Sequence, residues 1–126
     1  MRAHPRPGAI SADSVAIMKA TLRVADRLHI TNKVLARIIG LSESTVSRMR
    51  RDNYALGKGR KPLELAIMLV RLYRSLDTAV GGDDAVAGRW LANANTALKG
   101  TPLDLIQSVS GLVNVIQYLD ARRSVI

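Results

Sequence analysis

Glu43, Ser44, Ser47 and Arg48 stand close together in a polar run whose side chains carry donors and acceptors suited to the edges of nucleic-acid bases. An arginine in such a run offers a planar fork of donors that matches the two acceptors of guanine, while serine and glutamate complement other edges. Around them lie Lys33, Arg50, Arg51, Lys58, Arg60 and Lys61. Cations of this kind suit phosphate oxygens, which hold a protein on a duplex without reading its sequence. The first four residues are therefore expected to read bases and the other six to hold phosphates.

Such chemistry needs a helix presented to a groove, and residues 30 to 51, ITNKVLARIIGLSESTVSRMRR, carry the signals for one. Thr31 can cap a helix by accepting from its free N–H groups, with Ile30 stapled onto Leu35. The helix then runs from Asn32 with Leu35, Ala36 and Ile39 on one face, and Gly40 supplies its left-handed exit. Leu41 and Ser42 repeat the signal, Ser42 as cap and Leu41 stapled onto Val46, so a second helix starts after a turn of about three residues. Ala36 is small where the two helices press together, and Leu35, Ile39, Leu41, Val46 and Met49 supply the apolar contacts. The outer face of the second helix holds Glu43, Ser44, Ser47, Arg48 and Arg51. Ala36, Gly40, Val46 and Met49 resemble the helix-turn-helix of bacterial repressors.

A tight helical hairpin that merely packs would use the same small residue, glycine and anchors, and charge separates the two readings. Thirteen of the 19 basic residues, against four of the ten acidic ones, precede Leu63, while the remainder carries six of each. The whole net charge of +9 thus travels with the hairpin. A polyanion is the natural partner, because each cation brought near a phosphate releases condensed counterions. Solvation of a surface accounts for Arg2, Arg6 and Lys19. It does not account for Arg48, Arg50 and Arg51 on one helix.

The rest of the chain bounds the architecture. Its 126 residues, 48% apolar, suffice for one compact domain or two very small ones sharing a core. Cysteine is absent, which rules out disulfides and thiolate metal sites. The longest uncharged stretch, residues 105 to 119, is too short and too polar to span a bilayer, and the N-terminus lacks an apolar signal core. A soluble, cytoplasmic protein without cofactor or membrane is expected.

The pattern is all-α. Residues 1 to 10 read as a loose basic tail, and Ser11 or Asp13 can cap a helix to about His29. Residues 52 to 61 read as a basic, Gly-rich loop, after which Pro62 at a first helical position opens an apolar helix expected to be largely buried. Asp83 or Asp84 caps a short helix bearing Trp90, a turn spans 93 to 100, and Thr101, Pro102 and Asp104 open another helix. A last helix follows Ser110 or Gly111. The expected division is a tail over 1 to 10, a helix-turn-helix DNA-binding bundle over 11 to 61, and a small helical domain over 62 to 126.

That second domain carries a recognisable combination: Trp90, Asn95, Ala97, Leu98, Gly100, Thr101, Pro102, Asp104 and Gly111. Together these residues resemble the toxin-binding domain of the MbcA/ParS/Xre antitoxin family, and with the hairpin upstream the resemblance covers about residues 11 to 121. Two departures are Ala94, where proline is expected, and the ending 122 to 126. The resemblance implies an antitoxin that binds a RES-domain toxin, an enzyme that destroys NAD, covers the entrance to its active site, and represses its own operator. It also implies that the toxin faces the 95 to 104 loop and the helix over 112 to 123, with Asn95, Leu98, Thr101, Asp104, Tyr118, Arg122 and Arg123 as candidate contacts. Trp90 fits the core better than a contact, since a lone tryptophan among apolar helices usually packs.

Catalytic signals are thin. His4 and His29 lack partners at ligand spacing, Asp83 and Asp84 are better read as caps, and Gly57-Lys58-Gly59-Arg60 lacks the spacing of a nucleotide-binding loop. No catalytic or metal site is expected. Three functions remain: a repressor that also neutralises a toxin, a free-standing repressor whose second half only dimerises, and, weakest, an enzyme. A homodimer suits the first two, because paired recognition helices read half-sites about one DNA turn apart.

Overall fold

The structure, a computed structural model, describes residues 12–52 and 60–124. These form seven α-helices: α1 (Ala12–Arg27), α2 (Asn32–Ile39), α3 (Glu43–Asp52), α4 (Arg60–Ala79), α5 (Asp84–Ala92), α6 (Pro102–Leu105) and α7 (Val109–Ser124). No strand occurs among the described residues, only an isolated antiparallel bridge between Asn95 and Gly100. The N-terminal tail, Ser11, Gly57, Lys58 and Gly59 lie outside the described residues.

The helix-turn-helix forms as its end signals predict. The Thr31 hydroxyl accepts from the Val34 N–H at 3.2 Å, and the chain leaves α2 through Gly40 at φ +74°, where a side chain would be strained. The Leu41 N–H closes back onto the Ala36 carbonyl at 2.9 Å, a Schellman bond that satisfies an orphan acceptor of the last turn. The Ser42 hydroxyl then accepts from the Thr45 N–H at 3.1 Å. Ile30, Leu35, Ala36, Ile39, Val46 and Met49 are all buried in one core.

α4 is the spine. Leu65, Leu69, Leu72 and Leu76 recur every three or four residues and are buried in the common core, and α4 packs against α1, α2, α5 and α7. Each leucine removed from water contributes about 1.5–3 kcal/mol. The expectation of a largely buried helix holds for this stripe alone: Glu64, Ile67, Arg71, Arg74 and Thr78 are exposed on the other side. Pro62 also does not open the helix, which begins at Arg60. A proline in the first turn is tolerated because N–H groups there have no intrahelical acceptor.

Other boundaries shift for local reasons. α1 ends at Arg27, and His29 takes a left-handed φ of 57° while the Ile30 N–H reaches the Ala25 carbonyl at 2.8 Å. Asp13 lies inside the first turn of α1. Asp83 caps α5 by accepting from the Ala85 and Val86 N–H groups at 3.0 and 3.2 Å, which releases Asp84 for another partner. Thr101 occupies the cap position of α6 without a side-chain capping bond, and α6 is only four residues long. Ser108 caps α7, accepting from the Gly111 N–H at 3.1 Å, so Gly111 sits inside the first turn of α7.

Gly111 is there because α7 starts hard against the end of α6. A Cβ on it would fall on the Leu105 carbonyl oxygen, a backbone atom that cannot swing aside. Gly88 in α5 has no such constraint, the nearest atom to its Cβ being the Leu28 carbonyl oxygen at 3.8 Å. Thermal unfolding should therefore show Gly111→Ala losing about 2–3 kcal/mol through overpacking. Gly88→Ala should instead gain about 0.5–1 kcal/mol, the entropy of a helix-interior glycine.

Candidate functional site

α3 is seated by Val46 and Met49, fully buried on the side facing α2. That leaves Glu43, Ser44, Arg48 and Arg51 exposed and Ser47 half-buried. Ser44, Ser47, Arg48 and Arg51 follow helical spacing, so they form one polar stripe along the outer face. Arg48 has no ion-pair partner among the described residues. Glu43 stands in the first turn, where the helix dipole favours a carboxylate.

The expected phosphate cations divide. Lys33, in the first turn of α2, is exposed. Arg51 is exposed and only loosely paired with Asp52, its neighbour in sequence, at 3.4 Å. Arg60 and Lys61 are exposed on the first turn of α4 rather than in a loop, with Arg60 3.4 Å from Glu64 one turn on. Lys58 lies outside the described residues. Arg50 differs from all of them, because its Nε donates to Asn32 Oδ1 at 2.6 Å and its Nη1 to Asp26 Oδ1 at 2.8 Å. Sequence reasoning did not find Asp26 and Asn32 as its partners. A hint was present, since a carboxylate near the C-terminal end of a helix opposes the dipole unless a cation meets it.

The second half presents a different surface. Trp90 of α5 stacks on Tyr118 of α7 with ring centroids 6.3 Å apart and planes 20° from parallel. The Arg122 guanidinium lies over the Tyr118 ring at 4.9 Å from its centroid, and its Nε donates to the Tyr118 hydroxyl at 2.7 Å. Trp90 is only half-buried: it packs on the core and also lines a recess with Val86, Arg89, Asn93, Ala94 and Asn95. Stacks of this kind are worth about 0.5–1.5 kcal/mol beyond area and an exposed cation–π contact about 0.5–1 kcal/mol.

The 95 to 104 loop is held from within. Asn95 bonds Gly100 in both directions, at 2.9 and 3.3 Å, and its Oδ1 accepts from the Leu98 N–H at 3.1 Å. Leu98 packs half-buried on the core, Thr101 is half-buried, and Asp104 is exposed. The side chain of Arg123 lies outside the described residues.

Polar ties join separate helices, and none of them was evident from spacing. Tyr73 of α4 donates to Asp84 Oδ1 at 2.8 Å and accepts from Arg27 Nη1 at 3.2 Å, linking α1, α4 and α5. Arg37 Nη1 donates to Gln107 Oε1 at 3.5 Å. Ser75 and Arg71 of α4 donate to the two oxygens of Asp120 on α7, at 2.7 and 2.8 Å. The hydrogen bond from Arg27 favours the Tyr73 phenolate, but burial, donation to Asp84 and the nearby carboxylate charges outweigh it and raise the phenol above its ordinary value. Among the described residues no three carboxylate or imidazole groups could hold a metal ion together. No helix of them is long and apolar enough to cross a membrane.

Two family models cover this arrangement. The antitoxin Xre-like helix-turn-helix domain matches residues 8–71, from before α1 into α4. The antitoxin Xre/MbcA/ParS C-terminal toxin-binding domain matches residues 75–124, from the end of α4 through α7. The chain belongs to the Xre/MbcA/ParS antitoxin family. No curated protein sequence matches it significantly. In this antitoxin the two matched segments meet within α4, so one helix belongs to the core of both. The antitoxin therefore combines a DNA-binding domain with a domain for a toxin partner.

Tyr73 sits at that junction, and its raised pKa has a consequence for stability. The folded state holds the phenolic proton more tightly than the unfolded chain, so the contribution is complete below pH 10.0, the ordinary tyrosine value, and is lost as pH rises through the folded-state value. Urea unfolding of Tyr73→Phe should show a loss of about 1 kcal/mol at neutral pH. The same variant should show a shallower decline in the alkaline range than the parent.

Proposed function

We propose that this chain is the antitoxin of a type II toxin–antitoxin pair whose partner is a RES-domain, NAD-degrading toxin. It binds that toxin through its second half, covers the entrance to the toxin's active site, and represses its own operon through α3, acting as a cytoplasmic homodimer. The observation that carries this reading is the joining of the two matched modules on one shared helix, with the polar stripe of α3 left outside the core.

In this reading Arg48 takes a guanine edge with its bidentate fork, helped by Glu43, Ser44 and Ser47. Lys33, Arg51, Lys58, Arg60 and Lys61 hold phosphates. Two copies of α3 in a dimer read half-sites about one DNA turn apart. On the toxin side, Tyr118 and Arg122 present an aromatic surface topped by a guanidinium, a residue pairing favoured at the centres of protein interfaces. Asn95, Leu98, Thr101, Asp104 and Arg123 complete the proposed toxin-facing set, with Asn95 also holding its own loop through its Oδ1. The division expected at residue 61 or 62 would fall in the first turn of α4, and in this reading the two binding roles instead divide within that helix, between residues 71 and 75.

Co-expression with the neighbouring reading frame tests the toxin side. The expected outcome is rescue of growth and a stable complex, with intracellular NAD preserved. Equal killing with and without this chain, and no complex on co-purification, would reject the antitoxin pairing and leave a free-standing repressor. On DNA, Arg48→Ala should cost about 1–3 kcal/mol on the preferred sequence and relax base preference at one position. Lys61→Ala should weaken all sequences alike and lower the salt slope by about one. Binding titrations against the upstream region and a shuffled duplex measure both.

A further inference from the structure

α3 is thinly held for a helix that must meet a groove at a set angle. Only Val46 and Met49 are buried among its ten residues, and among the described helices α2 is the one against which it packs extensively. Two apolar anchors on one neighbour leave rotation about the α3 axis weakly restrained. Arg50 adds the missing restraint, because its guanidinium spans from α3 to two other places, Asn32 at the start of α2 and Asp26 near the end of α1.

We propose that Arg50 is a positioning residue for DNA reading, and that Asp26, although acidic, supports DNA binding by holding it. This rests on the DNA-binding reading above. Two directed donors are already engaged at 2.6 and 2.8 Å, and the side chain is 28% exposed, against 68% for the neighbouring Arg51. The charge of Arg50 is already met by Asp26 at 2.8 Å, so a phosphate would compete with that carboxylate, whereas Arg51 is paired only at 3.4 Å and is far more exposed. The two bonds leave from different nitrogens, Nε to Asn32 Oδ1 and Nη1 to Asp26 Oδ1, so the guanidinium ties α3 to two separate points. A lysine cannot reproduce this, since its single ammonium cannot match a fork reaching two acceptors.

The full-length chain, titrated by fluorescence anisotropy with its own upstream duplex and with a generic mixed-sequence duplex between about 50 and 200 mM salt, distinguishes the roles. Asp26→Ala and Arg50→Ala should each weaken binding to the upstream duplex about tenfold, with the salt slope nearly unchanged and the ratio of specific to generic affinity reduced. The double variant should be no weaker than either single one. Arg50→Lys, which keeps the charge, should resemble Arg50→Ala, and Arg51→Ala should lower the slope by about one. Circular dichroism confirms that each variant is folded, and Asp26→Asn repeats the test with the shape conserved.

If Asp26→Ala and Asp26→Asn bind as tightly as the parent or more so, while Arg50→Ala lowers the slope like Arg51→Ala and Arg50→Lys restores it, then Arg50 is an ordinary phosphate contact and the proposal is wrong. If the parent chain binds neither duplex, the DNA-binding reading has failed before any substitution, and the proposal falls with it.

Discussion

The leucines at 65, 69, 72 and 76 form a single apolar stripe on α4, and both halves of the molecule are built on it. α1, α2, α5 and α7 all pack on α4. Several of the other helices are short, α2, α5 and α6 being eight, nine and four residues long. Short helices of this kind are marginal by themselves and draw their stability from tertiary packing. Sharing one long helix solves that problem for two binding modules in about a hundred residues. It also makes their relative placement a property of the core rather than of a linker.

Polar chemistry then does what the core cannot, which is to set direction. Apolar burial is nearly indifferent to rotation, whereas hydrogen bonds to charged groups act along defined lines. Arg50 bonded to Asp26 and Asn32, Tyr73 between Arg27 and Asp84, and Arg71 with Ser75 on Asp120 all occur where helices from different parts of the chain meet. Among the described residues no buried side-chain nitrogen or oxygen lacks a partner. The groups left toward solvent, the outer stripe of α3 and the Tyr118–Arg122 pair backed by Trp90, are those the two binding readings use. A protein that must meet a duplex and a folded partner keeps its directed chemistry in two places, inside the joints and on the two faces.

Much of this was legible locally. Thr31, Gly40 and Ser42 marked the hairpin because capping depends on residues within four positions, and the structure bears them out bond by bond. The outward face of α3 followed from helical period alone. Helix starts were less secure where two residues competed for one role: Asp83 rather than Asp84 caps α5, and Ser108 rather than Ser110 or Gly111 caps α7. Pro62 misled for a related reason, since proline fits anywhere in a first turn and so marks the turn rather than the first residue.

By itself, the sequence determined the helical class, the tight hairpin, the partition of charge and the family, because each depends on spacing or composition along the chain. Only the tertiary structure decided which cations are free. Lys33, Arg50 and Arg51 are the same kind of residue in sequence, yet Arg50 alone is drawn inward, by carboxylate and amide oxygens 24 and 18 residues away. Trp90, expected in the core, likewise turned out to be shared between core and surface, because Tyr118 arrives from α7 to stack on it. Pairings over such distances depend on which helix faces meet, and that is settled by how the α4 stripe is shared, not by any local pattern.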